Sequence, residues 1–246
     1  MPRLSPDAAQ RRASRRLEGA AAPADYSEAL ARGLAVLEAL GEGGGGQTLA
    51  DLARELDLPR ATVRRAVLTL EHLGFVRTAG RTLALTPQVL RLATAYLAGD
   101  PLGQVLQPAC EEVVAELGEA CGVAVLDGAD AVVVARAQPR RLVPVGTGIG
   151  FRVPAAGSAL GRVLLAGTGA PGAELDRVRA QGWAYVADEV EAGLQSVAVP
   201  LRRADGVVVA AMHVASSTGS RTQGWMTGTA REVLSGHAEE LRRLLV

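Results

Sequence analysis

The stretch that most limits what this chain can become is residues 48–76, TLADLARELDLPRATVRRAVLTLEHLGFV. Leu49, Leu52, Ala53 and Leu56 recur at helical spacing and predict a short helix with one apolar stripe. Thr48 stands where an N-cap belongs, with Asp51 three residues on. The residues DLPR (57–60) break the pattern, and Pro59 suits the first turn of a second, longer helix. On that helix Val63, Ala66, Val67, Leu70 and Leu73 share a face expected to be buried, and Gly74 fits the position just past its end. With Val63 at the centre of the buried face, a turn of about 100° per residue puts Ala61 and Arg65 nearly opposite it, with Thr62 and Arg64 on the flanks. Two helices locked by apolar stripes across a tight turn, the second edged with arginine, leave few folds open.

The next segment, FVRTAGRTLAL (75–85), reads as two short strands around an Ala-Gly turn. Helix, tight turn, helix and basic hairpin together make a winged helix-turn-helix. Between residues 59 and 91 lie Arg60, Arg64, Arg65, Arg77, Arg81 and Arg91 against one acid, Glu71, although the whole chain has a formal net charge of zero. A basic patch on a neutral chain points to a polyanion at one end. Ala61 and Thr62 are small enough for close approach, and Arg64 and Arg65 can reach a guanine edge or a phosphate. Arg77 and Arg81 flank the wing turn and suit phosphate or minor-groove contact. Arg60 adds a phosphate contact at the positive helix end. The plainer alternative is an ordinary helical hairpin with a solvated charged face. Every cation is Arg and none is Lys; a GC-rich coding bias would produce this, so no function is drawn from it.

The rest of the chain organises around this unit. With 246 residues, 48% of them hydrophobic, there is enough for one large domain or two ordinary ones. Residues 1–25, rich in Ala, Arg and Pro, are expected to form a disordered tail whose RRASRR (11–16) could touch phosphates. Leu30, Leu34, Leu37 and Leu40 predict a helix over 27–40, and GEGGGG ends it. That run lacks the Lys-Ser/Thr of a phosphate-binding P-loop. Thr86-Pro87 opens a helix over 87–98 with Leu90, Ala93 and Leu97 on one side, and GDP (99–101) marks a boundary. Beyond it the pattern predicts a helix at 103–119, strands at 122–127 and 131–136 around an Asp-Gly turn, and helices at 157–166 and 172–181. Strands at 195–202 and 206–215 around a second Asp-Gly turn follow, then an amphipathic helix over 226–245. Hairpin-linked strands flanked by helices imply an α+β class, with a mostly antiparallel sheet covered by helices. The expected division is a tail (1–25), a winged helix-turn-helix domain (26–86), a linker helix (87–100) and a second domain (101–246).

Other chemistries find little support. Cys110 and Cys121 are expected to be reduced structural thiols, and neither a metal nor a cofactor is anticipated. There is no 18-residue apolar run and no secretory signal, so a cytoplasmic protein with no membrane partner is expected. GTGIG (146–150) is not a dinucleotide loop, because Pro154 follows too soon for a helix to open at the glycines. Ser158 lacks a nucleophile-elbow motif, and His72, His213 and His237 sit in no recognisable catalytic setting; His72 and His237 are expected on helix surfaces. Two rivals to DNA binding stay open: a winged helix that binds protein without specific DNA contact and, distantly, a small-molecule enzyme.

Several separated stretches resemble the IclR family of bacterial transcription regulators. They are LARGLAVLEAL (30–40), the 49–76 segment, GFRVPAAGSALGRVLLA (150–166), DEVEAGLQSVAVPL (188–201) and GVVVAAMHVASSTGSR (206–221). The resemblance spans about residues 27–246, and its nearest branch is similar to regulators of protocatechuate and 4-hydroxybenzoate catabolism. It implies no enzyme activity but a double-stranded operator as partner, a homodimer or homotetramer, and a GAF-like α+β C-terminal domain binding a small organic acid. Arg65 matches the family's recognition-helix arginine. For the effector, the resemblance implies Ser158, Ala159, Leu160 and Gly161 at a helix start, an acid at Asp188 or Glu189, Ser196, and His213, where relatives often carry Ser or Asn. His213 could bond a ligand hydroxyl or be a satisfied core histidine. Arg152 matches a family arginine, in a ligand role or a structural ion pair. Phe151 and Gly157 depart from the commoner small polar residues.

Overall fold

The computed structural model describes residues 25–43, 46–99, 101–139 and 148–245. The expected tail, the middle of the GEGGGG run and the first residues of the 146–150 loop lie outside them. The chain divides into two compact units, the first ending at Ala95 and the second starting at Tyr96.

In the first unit three helices pack beneath a small sheet. Helix α1 (Glu28–Glu42), α2 (Leu49–Glu55) and α3 (Arg60–His72) surround a core of Val36, Leu40, Leu52, Val63, Val67 and Leu70. Thr48 caps α2 through the Asp51 amide, and the Asp51 carboxylate returns a bond to the Thr48 amide, so the box closes with Asp in place of the usual Glu. Asp57 turns the chain out of α2 with a left-handed φ of 50°, and the Leu58 amide closes onto the Ala53 carbonyl. Strand β1 (Gln47–Thr48) pairs with β3 (Thr82–Leu85), which pairs in turn with β2 (Val76–Ala79). Ala79 faces Thr82, so the wing turns on Gly80 and Arg81 rather than on Ala-Gly, with Gly80 at φ 65°. Two further expectations give way. Leu73 is exposed beyond the core, because α3 ends there and Gly74 reverses the chain. On α1 the inward stripe is Val36, Ala39 and Leu40, which leaves Leu30 and Leu34 exposed at 64% and 53%. A 3-10 turn (Pro87–Val89) capped by Thr86 leads into α4 (Leu90–Gly99), on which Leu90, Leu92 and Tyr96 are exposed.

In the second unit a six-stranded antiparallel sheet runs in the order β6-β5-β4-β9-β8-β7. The strands are β4 (Ala120–Asp127), β5 (Asp130–Ala137), β6 (Arg152–Pro154), β7 (Ala184–Ala187), β8 (Leu194–Arg202) and β9 (Val208–Ser217). The short edge strands β6 and β7 carry too few residues for an alternating pattern to mark them in the sequence. One sheet face presents Cys121, Val123, Val197, Val199, Met212 and Val214 to α5 (Pro101–Leu117) and α8 (Arg231–Arg242). The other presents Ala124, Ala198 and Ala211 to α6 (Ala159–Gly167), which packs on α7 (Ala173–Gln181). Small side chains on this second face let α6 lie close. The C-terminal helix does not run straight: a turn at Gln223–Trp225 and a π-turn at Met226–Ala230 precede α8, with Met226, Ala230 and Leu234 fully buried.

The start of α6 is the tightest approach in the unit. A Cβ on Gly161 would stand 2.1 Å from Ala155 Cα and 2.2 Å from its carbonyl oxygen, both backbone atoms that cannot swing aside. Gly157, four residues earlier, has open space. Gly161→Ala should therefore lower stability by about 1–3 kcal/mol, while Gly157→Ala should stay within about 0.5 kcal/mol of wild type. Urea unfolding checks this: the midpoint should drop for the first variant alone, at unchanged slope.

Candidate functional site

The outer edge of α3 is cationic and uncapped. Pro59 precedes the helix without a side-chain cap, and the first turn carries no acid but Arg60. A cation at the positive end of a helix dipole is unfavourable for the isolated fold, and an anion at that end removes the conflict. Arg60, Ala61, Arg64 and Arg65 are exposed, and Thr62 is half-buried, so the side chains expected to meet a partner point away from the Val63–Val67–Leu70 core. Arg77 and Arg81 are exposed on the wing. The wing is fastened to α3: Glu71 Oε1 accepts from the Thr78 amide at 3.2 Å, and Thr86 Oγ1 donates to the Gly74 carbonyl. The two groups of arginines thus belong to one braced body.

The second candidate site lies on the small-residue face of the larger sheet. Ser158 is buried and caps α6, its Oγ accepting from the Gly161 amide at 3.1 Å. That bond occupies one of the amides expected to greet a carboxylate; Ala159 and Leu160 are buried beside it. Ser196 is buried on β8 opposite Ala215. His213, half-buried on β9, sits between Gly122 on β4 and Ala198 on β8. Its Nε2 would be only 3.0 Å from a Cβ on Gly122, so the imidazole leans across the glycine. Burial first, and the charge of Arg136 second, push the His213 pKa down to about 3, so the ring is neutral at neutral pH and offers one donor and one acceptor.

The two acids sit differently. Asp188 is exposed at φ 61°, and its carboxylate accepts from the Gly193 amide at 2.6 Å. Glu189 is exposed and ion-paired with Arg162 of α6 at 2.5 Å. Both acids brace the turn before β8. Arg152 bridges Asp127 (2.6 Å) and Asp130 (3.1 Å) across the β4–β5 turn, the structural role of its two alternatives. His72 is exposed as expected. His237 is not: its side chain is held between α8 and α5, 3.7 Å from Glu112 and 3.6 Å from Glu116.

Two features escaped the sequence. Glu119 is buried and paired with Arg221 at 2.9 Å, and the Arg221 guanidinium lies 4.3 Å from the Trp225 ring centroid. Partners 102 residues apart leave no local spacing to read. A cavity of about 220 Å³ opens at the far end of α6, lined by Val163, Ala166, Val178, Arg179, Pro200 and Arg202. Arg179 is committed there to the Ala166 and Ala170 carbonyls at 3.2 and 3.0 Å and to Asp176. Among the described residues no group of three metal-ligating side chains occurs, and no helix is long and apolar enough to cross a membrane.

A winged helix-turn-helix unit followed by an α+β unit, with a neutral histidine on a small-residue sheet face, defines a two-part DNA-binding regulator. The chain belongs to the IclR family of transcriptional regulators: the IclR helix-turn-helix domain matches residues 29–80, and the bacterial transcriptional regulator IclR C-terminal domain matches 94–171 and 172–242. It is similar to the Pca regulon regulatory protein of Pseudomonas putida, 36% identical over 85% of this chain and 81% of that protein. It is also similar to the p-hydroxybenzoate hydroxylase transcriptional activator of Acinetobacter baylyi, 30% identical over 90% and 93%. A solved IclR homolog from Microbacterium hydrocarbonoxydans, complexed with 4-hydroxybenzoate, superposes with a TM-score of 0.74 at 25% identity, covering 89% of this chain and 99% of that one. The family and these relatives are regulators of transcription, not enzymes.

The His213 environment carries a pH dependence. The folded chain holds this ring near a pKa of about 3, whereas the unfolded chain protonates at the ordinary 6.5. Above pH 6.5 the group does not affect stability; as pH falls toward 3, the unfolded state takes the proton first and stability declines. Between pH 7 and 5 the loss is about 2 kcal/mol at most, reduced by the solvent that the half-buried ring still meets. Urea midpoints at the two pH values should fall further for wild type than for His213→Asn.

Proposed function

We propose that this chain is a homodimeric, cytoplasmic regulator whose affinity for a double-stranded operator is set by a small aromatic carboxylate. The observation that carries the reading is the pairing of an exposed arginine edge on α3 and its wing with a neutral histidine on a small-residue face. The 4-hydroxybenzoate named with the Microbacterium relative supports the aromatic class of ligand. On this reading α3 enters a major groove in each half-site. Arg60, Arg77 and Arg81 meet phosphates, Ala61 permits close approach, and Thr62, Arg64 and Arg65 meet base edges or flanking phosphates. The effector lies against Ser158, Ala159, Leu160, Gly161, Ser196 and His213, with Asp188 and Glu189 on the turn beside them. The exposed apolar residues Leu30 and Leu34 on α1, and Leu90, Leu92 and Tyr96 on α4, support self-association. Coupling of effector and operator is reciprocal, typically about 1–3 kcal/mol.

Fluorescence anisotropy with the DNA upstream of the chain's own gene tests the operator half. Arg64→Ala should weaken cognate binding by about 1–3 kcal/mol and relax one base preference; an equal loss on random DNA would reduce Arg64 to a phosphate contact. A thermal-shift screen of aromatic acids tests the other half. A true effector at 100 times its Kd should stabilise the folded chain by about 2.7 kcal/mol.

A further inference from the structure

Arg136 was not among the residues that the sequence marked for the effector, yet the sheet register carries it to the same place. On β5, Arg136 lies opposite Gly122, and Gly122 lies opposite His213 on β9. Residues directly opposite in adjacent strands share a face. Ala135 and Ala137, on either side of Arg136, both turn into the α5–α8 core, so alternation sends the Arg136 side chain to the small-residue face. Gly122 between the two contributes no side chain, and the His213 ring leans over it. The imidazole thus fills the space that a side chain on Gly122 would take, and the row brings guanidinium and imidazole toward each other.

Arg136 is held at its backbone and, separately, at its guanidinium. The Gln107 side chain on α5 brackets the Arg136 peptide, its Nε2 donating to the carbonyl at 3.2 Å and its Oε1 accepting from the amide at 3.2 Å. Gln138, with its carboxamide oxygen turned inward, accepts from Arg136 Nε at 2.8 Å and from an Nη at 3.1 Å. That amide is a neutral acceptor that aims the fork. Burial works against that charge and lowers the Arg136 pKa. A half-buried, aimed guanidinium gains most from a carboxylate that accepts two parallel N–H bonds.

Resting on the reading that a small carboxylate is the effector, we propose that Arg136 is its anion anchor, with His213, on the same sheet face over Gly122, as the neutral partner for the ligand's remaining polar group. The arrangement takes an acid that carries a second, neutral polar group such as a hydroxyl. It assigns the charge recognition to β5, while the α6 helix start serves as the wall beside it.

Calorimetric titration of the full chain with 4-hydroxybenzoate, protocatechuate and the uncharged 4-hydroxybenzamide tests the anchor. Arg136→Gln should weaken acid binding about 10- to 100-fold and leave any amide binding within about threefold of wild type. Arg136→Lys, which keeps the charge and loses the fork, should fall between, and it carries the test should the Gln variant not fold. Unchanged acid affinity in either folded variant overturns the anchor while leaving the effector reading intact. A wild-type chain that binds neither acid overturns that reading and the anchor with it. Independently of any ligand, the His213 ring followed by NMR should protonate at higher pH in Arg136→Gln than in wild type; no change would refute the juxtaposition.

Discussion

Alternation along β4, β9 and β8 is the constraint on which the second unit depends. Odd positions on β4 and even positions on β9 put Cys121, Val123, Met212 and Val214 into one core with α5 and α8. The small residues between them, Gly122, Ala124 and Ala211, fill little space on the opposite side, so α6 is drawn down where alanines line the sheet and the His213 ring covers Gly122. A slip of one residue in any of these strands would exchange the two faces. The bulge between Val123 and Ala124 matters for the same reason. It resets the phase of β5 so that Ala131 meets the α6 side while Ala135 and Ala137 meet the α5 side.

The first unit solves a different problem, namely how to expose charge without loosening the fold. Its core is small, so the exposed edge of α3 is secured by polar ties rather than by area. The Thr48–Asp51 box fixes the helix before the turn, Asp57 makes the turn, and Glu71 and Thr86 hold the wing. None of these ties uses an arginine of the 59–91 segment. The positive side chains are thereby kept for a partner, while the acids nearest them are consumed in bracing.

What the sequence disclosed follows the range of each interaction. The helix-turn-helix was legible because Leu52, Val63, Val67 and Leu70 repeat at helical spacing within one short segment and the break at Pro59 is local. The hairpins announced themselves through Gly128 and Gly206, each at positive φ beside an Asp. The exposure of Leu30 and Leu34 was not legible, since a leucine stripe reads the same whether it faces its own core or another surface. The same limit applies to Arg136, whose meaning depends on register with β4 and β9 and on a bulge. Glu119 and Arg221 meet only after nearly the whole second unit has formed. Among the effector residues suggested by resemblance, Ser196 and His213 are brought to one sheet face and Ser158 caps the helix that packs on that face, whereas Asp188 and Glu189 are exposed on the turn that precedes β8.

The π-turn at Met226–Ala230 has a bearing on how this domain tolerates change. One wide turn lets a rod that begins under the Arg221–Trp225 stack arrive in phase with Leu234 and Leu241 at its other end. Such turns are how helices absorb a single extra residue without unwinding. The C-terminal rod thus carries its own expansion joint: length polymorphism among sister sequences should concentrate in those five positions, sparing the fixed ends on either side.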